Sequence, residues 1–282
     1  MKKTDNPKGI PQICINDFAR VQKLFSDKNW PVDGDFGNSF FENFCNLIAS
    51  YNEQQRELIF SLSNRFLWVN ETQYYPYFAK AFNNFVSNYD FSRGKKIYIT
   101  PLLPQEDFGK AKSSIMMYYL IKAIIPTLQQ QYNEYSITYS DSPDQVDFEM
   151  INNGYTLCLV DDFIGTGETV RGAVYYFTEN GITLDNICVV ALVGMNIGVQ
   201  SLIHDGYSIF TAVCCPRGIS DSENSSAEKI IMDTIEEKMK VQERYRYGYG
   251  ASEALVKMMR TPNNTFPVYW LRKNNKFAPF PR

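Results

Sequence analysis

The chain predicts an α/β fold with a mostly parallel sheet, on three observations. From residue 96 to 214, short apolar runs alternate with helical patterns, the mark of crossover units that lay strands side by side in one direction. The run from Leu157 to Val160 is apolar throughout and reads as a buried strand. Two adjacent carboxylates, Asp161 and Asp162, mark its end, and ligands of parallel sheets bind outside the carboxyl ends of the strands.

Along the chain, residues 15–90 read as helices. Leu58, Ile59, Leu62, Phe66 and Val69 follow helical spacing, as do Phe78, Phe82, Phe85, Val86 and Tyr89. These aromatic stripes are packing surface, and the stretch Asp33-Gly34-Asp35-Phe36-Gly37 reads as a linker. After Gly94, Lys96 to Leu102 reads as a strand and Ser113 to Ile125 as a buried helix stopped by Pro126. Tyr135 to Tyr139 is a second strand. The carboxylate-bearing strand follows, then a helix from Thr169 to Glu179, a strand from Ile187 to Val193, a helix from Ile197 to His204 and a strand from Tyr207 to Cys214. Residues 222–240 hold an amphipathic helix with Ala227, Ile230, Ile231, Ile235 and Met239 on one face. This divides the chain into a helical region over 1–92, an α/β core over 93–216, and a C-terminal helix with a hood or cap segment over 217–282.

Composition sets bounds on function. The 282 residues can bury a sizeable core, and 44% hydrophobic with 21% charged residues is ordinary for a globular protein. A net charge of −3 argues against a generally basic nucleic-acid surface. No apolar run is long enough to span a membrane, and Met1-Lys2-Lys3 is followed by no apolar signal core, so a cytoplasmic location is expected. Cys45, Cys158 and Cys188 sit in apolar patterns as buried thiols, and the adjacent Cys214 and Cys215 have no metal-site spacing. The single histidine, His204, falls at a helix end where it meets the last carbonyls, which argues against a His-dependent nucleophilic triad.

The segment from Leu157 to Thr169 carries the chemistry. A strand presents Asp161 and Asp162 to hydroxyl groups. Phe163, Ile164, Gly165, Thr166, Gly167, Glu168 and Thr169 then lead into a helix whose N-terminus offers backbone N–H groups to a phosphate. This order suits a sugar phosphate. A simpler reading is a polar turn that caps a helix. There is no Gly-x4-Gly-Lys-Ser/Thr loop, and Gly165-x-Gly167-x-x-Val170 lacks the third glycine of a dinucleotide fingerprint.

The segment resembles the phosphoribosyl pyrophosphate (PRPP) signature of type I phosphoribosyltransferases: a hydrophobic strand, two acids, three variable residues, Thr-Gly, a variable residue and Thr. The resemblance implies a twisted, mostly parallel sheet of that kind. It implies that Asp161 and Asp162 bind the ribose hydroxyls and lie near Mg2+, directly or through substrate or water. It further implies that Thr166, Thr169 and the backbone around Gly165 and Gly167 hold the 5′-phosphate. In that family a loop after an early strand grips the pyrophosphate. Lys110, Lys112, Ser113 and Ser114 follow the first strand here and offer two ammonium groups and two hydroxyls at a helix start. The expected reaction is displacement of pyrophosphate at the anomeric carbon, which transfers the phosphoribosyl group to an acceptor or hydrolyses it, with charge on the leaving group offset by Mg2+ and lysines. One departure stands out. Three residues after the second acid, the 6-oxopurine branch has an aspartate and this chain has Gly165, which puts a hypoxanthine- or guanine-type acceptor in doubt.

The segments Gly109–Ser114, Asp161–Gly167 and Thr261–Trp270 are together similar to phosphoribosyltransferase-like proteins of bacterial conflict and anti-phage loci, some of them retron-associated. That implies an effector acting on nucleotides, with a partner protein of a defence system. The segment from Thr261 to Trp270 is either a tail pinned to the core or a hood over the acceptor base. The alternative to an enzyme is a non-catalytic module that senses PRPP or a nucleotide and regulates a partner, as an oligomer or alone. A third reading is nucleic-acid binding through Arg244, Arg246, Lys257, Arg260, Arg272, Lys273 and Lys276, interleaved with aromatics. A solvated charged face explains those residues equally.

Overall fold

The computed structural model describes residues 13–33, 39–272 and 278–282. Residues 34–37 of the linker expected at 33–37, and the cations Lys273 and Lys276, lie outside the described residues. In chain order, the first elements are α1 (Ile15–Lys28), α2 (Phe40–Ala49), α3 (Glu53–Asn64), β1 (Leu67–Trp68) and α4 (Tyr74–Asn88). They are followed by β2 (Lys96–Pro101), α5 (Ser113–Gln131), β3 (Ser136–Tyr139), α6 (Phe148–Asn152), β4 (Thr156–Ile164) and α7 (Glu168–Glu179). The last are β5 (Ile187–Met195), α8 (Asn196–His204), β6 (Ser208–Cys215), α9 (Ser225–Met239), β7 (Val256–Lys257) and α10 (Pro267–Trp270). The chain divides into two compact units, Val69–Arg217 and the pair of segments Met1–Trp68 and Gly218–Arg282.

The unit spanning Val69–Arg217 is the expected α/β fold. Five parallel strands run in the order β3-β2-β4-β5-β6. The inner strands β2, β4 and β5 are buried almost throughout because both faces are covered. β5 is buried at every position. On one face, Leu157, Leu159, Val189 and Ala191 pack with Val170, Val174 and Phe177 of α7 and Leu202 of α8. On the other face lies α4, which supplies Phe78, Phe82 and Phe85 to the interior. The order turns back between β2 and β4, the strands between which a doubly wound sheet opens a crevice at its carboxyl edge.

Two boundaries differ from the sequence reading. α5 does not stop at Pro126 but runs to Gln131. Proline costs a helix one backbone bond. Here packing beyond it outweighs that loss, with Leu128 buried and the Gln129 side chain donating to the Ile137 carbonyl at 3.0 Å. β4 does not end at Val160 but continues through both carboxylates to Ile164, paired to β5 at Asp161, Phe163 and Ile164.

The second unit brings the two ends of the chain together. α1, α2 and α3 pack with α9 and α10, and β1 pairs in parallel with β7. Rings account for much of its core. Trp30 meets Phe25, Phe44, Phe66 and Phe280 at centroid distances of 5.2–6.2 Å, and Tyr269 stacks on Phe280 at 6.0 Å. Edge-on and tilted rings at these distances are favourable contacts beyond the area they bury. The Thr261–Trp270 segment is pinned here. Thr261 Oγ1 donates to the Phe280 carbonyl, Thr265 Oγ1 to the Val256 carbonyl, and Trp270 Nε1 to the Thr265 carbonyl, at 2.6–2.8 Å. The buried stripe of α9 is Met232, Ile235 and Glu236 rather than one through Ala227 and Ile230, both of which are exposed. Glu236 Oε1 accepts the Tyr247 backbone N–H at 2.8 Å, and Oε2 lies 3.5 Å from Arg246 Nε. Burial pushes its pKa to about 7 against the pull of those two groups.

Candidate phosphoribosyl site

β2 stops at Pro101, opposite Val160, and the Leu102 N–H donates to the Val160 carbonyl at 2.9 Å. Beyond that point β4 keeps only β5 as a neighbour in the sheet, so Asp161 and Asp162 stand where the crevice opens. Both are buried. Strand alternation starts their side chains on opposite faces. The Ser113 hydroxyl, at the first turn of α5, acts on both acids and pulls their pKa values down. The Tyr74 hydroxyl, from α4, donates to Asp162 Oδ2 at 3.0 Å, and the Asp162 N–H donates to Asp161 Oδ1 at 2.8 Å. Burial raises the pKa of both acids, and for Asp161 the neighbouring charge of Asp162 raises it further. Two desolvated carboxylates side by side are costly without counter-charge or ligand donors.

The chain leaves β4 at Ile164, which is buried in the α7-side core, while Phe163 is half-buried in the strand. Gly165, Thr166 and Gly167 form the turn, and Glu168 and Thr169 open α7 with exposed side chains. Gly167 sits at φ 89° as the residue capping α7, a left-handed conformation that glycine takes at little cost. It has no side chain to occupy the first N–H groups of the helix, which face outward at the positive end of its dipole. The turn is braced from behind. Arg171 Nη1 reaches the Thr166 carbonyl at 3.4 Å, while Nη2 holds Ser201 Oγ at 2.8 Å and Asp205 Oδ2 at 2.6 Å. Gly198 on α8 lies so close that a Cβ there would sit 2.0 Å from the Gly165 carbonyl oxygen.

The loop after β2 holds Lys110 and Lys112, and both pair with Asp107, at 3.1 and 2.8 Å. Burial works against the charge on Asp107, but the two lysines outweigh it and hold its pKa low. No hydrogen bond or ion pair joins either lysine to Asp161 or Asp162 among the described residues. Ser114 Oγ is buried without a hydrogen-bond partner. The structure therefore joins Asp161 and Asp162 to each other and to Tyr74, with Ser113 acting on both acids, sets the Gly165–Thr169 turn next along the same strand, and groups the lysines around Asp107. Sequence reasoning missed Tyr74, Asp107, Arg171 and Gly198. Tyr74 sat in an aromatic stretch that read as packing, and Gly198 in an ordinary amphipathic helix.

The sequence profile of the PRTase-CE family matches residues 38–282. The chain belongs to the PRTase-CE family. A stretch of 63 residues is 41% identical to a hypoxanthine/guanine phosphoribosyltransferase of Methanohalophilus mahii, covering 22% of this chain and 32% of that protein. The fold also aligns with orotate phosphoribosyltransferase from Aeropyrum pernix over 78% of this chain and 99% of that one, at 16% identity and a TM-score of 0.32. No helix among the described residues of this PRTase-CE protein is long and apolar enough to cross a membrane.

Proposed function

We propose that the protein binds PRPP at the carboxyl edge of β4 and transfers its phosphoribosyl group. The observation that carries the reading is the buried Asp161–Asp162 pair, placed just past the end of β2 and followed directly by the glycine turn of α7. The carboxylates accept the ribose 2′ and 3′ hydroxyls, replacing water lost on burial with charge-assisted bonds. The turn from Gly165 to Thr169 takes the 5′-phosphate on backbone N–H groups and the hydroxyls of Thr166 and Thr169. Lys110 and Lys112 take the pyrophosphate. Their pairing with Asp107 is an exposed one, worth about 0–1 kcal/mol, and a pyrophosphate outcompetes it readily. Ser114 supplies a hydroxyl that has no protein partner to give up.

The residues fit Mg2+ as well. Two adjacent carboxylates suit a cation that keeps most of its other ligands from water and phosphate oxygens. Among the described residues no group of three or more acids, histidines or cysteines gathers into an all-protein metal site, so the substrate completes the shell. When bound, Mg2+ neutralises charge on the pyrophosphate. The protein's part is positioning. In the reaction the bond from the anomeric carbon to the pyrophosphate oxygen breaks, the electron pair leaves with pyrophosphate, and an acceptor that loses a proton forms the new bond. Gly165 gives this site no acidic reader of a 6-oxopurine ring. The conflict-system setting implied by the sequence belongs to the same proposal, with a nucleotide pool as target. The test is pyrophosphate release from PRPP across a panel of bases, nucleosides and water. Release that disappears in Asp162→Asn supports transfer, and PRPP binding with no release for any acceptor rejects it.

A further inference from the structure

A second concave site lies wholly within the unit formed by the two ends of the chain. It follows the C-terminus of α9 and has a volume of about 550 Å³. Lys240, Arg244, Arg272 and Arg282 line it, together with Tyr245 and Trp270. In a chain of net charge −3, a cavity lined by four cations and no carboxylate side chain is unusual. Among the described residues, Lys240, Arg244 and Arg282 have no carboxylate within ion-pair distance, whereas Arg246 two positions along is held by Asp233 and Glu236. Like charges gathered in a concavity favour an anion, and low-dielectric walls focus that preference.

The aromatic groups are arranged as a platform. Trp270 is fixed by its bond to the Thr265 carbonyl, and Tyr245 stands edge-on to it at 5.6 Å. The Arg244 guanidinium lies over the Tyr245 ring, 4.7 Å from its centroid. A planar cation backed by a ring has a second flat face on which a nucleobase stacks. Asn263, from the distinctive C-terminal motif, adds an amide that can both donate and accept. The volume falls in the range of small-molecule sites, roughly 300–1,000 Å³.

We propose that this cavity binds a nucleotide, with its base stacked on the Arg244–Tyr245 platform and its phosphates held by Lys240, Arg244, Arg272 and Arg282. The site is separate from the PRPP site in its residues and does not depend on it. It also gives the Thr261–Trp270 segment a role beyond packing, since Asn263 and Trp270 form one wall.

The test is isothermal titration calorimetry of the full chain with ATP, AMP, inorganic pyrophosphate and an eight-residue oligothymidylate. Each is run on wild type, Lys240→Gln, Arg244→Ala, Arg244→Lys and the double variant Asp161→Asn/Asp162→Asn. Lys240 and Arg244 are exposed, so these changes leave the fold intact. The expected result is 1:1 binding of ATP that weakens by about tenfold or more in Lys240→Gln and in Arg244→Ala. Arg244→Lys keeps the charge and loses the stacking plane, so it weakens ATP while sparing pyrophosphate. The Asp161/Asp162 variant binds ATP as wild type does. The proposal is overturned by ATP binding that ignores Lys240 and Arg244, or by binding lost in the Asp161/Asp162 variant. Pyrophosphate binding as tight as ATP that is lost in Lys240→Gln would reduce the cavity to an anion site, and binding of the oligonucleotide alone would make it a nucleic-acid surface. Either result also rejects the nucleotide.

Discussion

Gly198 is the residue through which the Gly165–Thr169 turn is most exposed to a single methyl group. A Cβ at this position would lie 2.0 Å from the Gly165 carbonyl oxygen and 3.0 Å from the carbonyl carbons of Gly165 and Thr166. Ordinary contact begins near 3.4 Å, so Gly198→Ala needs about 1.4 Å of extra room. The obstacle is backbone and cannot rotate away. Either α8 withdraws from the sheet or the turn shifts toward the ligand. Overpacking of this kind costs about 1–3 kcal/mol. At about 2–4 °C per kcal/mol, the melting temperature should fall by roughly 2–12 °C. Displacing a binding loop by about an ångström also costs on the order of a hundredfold in rate. The assay is differential scanning fluorimetry with PRPP titration, using the exposed neighbour Gln200→Ala on the same helix as control. Gly198→Ala should lose both stability and PRPP affinity, and Gln200→Ala neither. If Gly198→Ala melts and binds as wild type does, α8 does not seat the turn and the reasoning fails.

Three further outcomes follow from named contacts. Tyr74→Phe removes the hydroxyl that lowers the Asp162 pKa, so urea denaturation at neutral pH should show a loss of about 1–3 kcal/mol. That deficit should shrink in acid, where the carboxyl is protonated; an equal loss at all pH values would assign the effect to packing. Glu236 has a folded pKa near 7, raised from 4.5, so the folded state keeps a proton that the unfolded chain has released. Stability should therefore fall as pH rises from the unfolded value through about 7, with a slope of up to about 1.4 kcal/mol per pH unit, and Glu236→Gln should flatten that profile. A wild-type profile that rises over this window would contradict the placement of Glu236. Lys110→Gln/Lys112→Gln should leave stability within about 1 kcal/mol, because the pairs with Asp107 are exposed. It should weaken pyrophosphate binding and reduce its salt dependence, both read by calorimetry at two ionic strengths; undiminished binding would remove the lysines from the site.

How much of this was legible in the sequence depends on the range of the interaction. Strands β2 to β6 and the helices between them other than α6 followed from local alternation, and the acid pair with its glycine turn followed from residues adjacent in the chain. Long-range effects were not legible. Pro126 looks like a stop until Leu128 is seen to be buried beyond it. Ile230 looks apolar and inward until Glu236, bonded by residues 246 and 247, takes the inner face instead. Tyr74 lies 88 residues from its partner Asp162, and Gly198 is 33 positions from the carbonyl it admits, so no spacing rule connects either pair. The union of the two chain ends in one unit likewise depends on contacts such as Ser63 to Tyr269, which are 206 residues apart.

The most direct measurement of the central claim is calorimetric titration of the protein with PRPP and Mg2+, comparing wild type with Asp161→Asn/Asp162→Asn. Saturable binding at one site per chain, abolished in the variant while its fold persists by circular dichroism, is the predicted result. Absence of saturable binding by wild type, or equal binding by both proteins, would contradict the assignment of the β4 edge as a phosphoribosyl site.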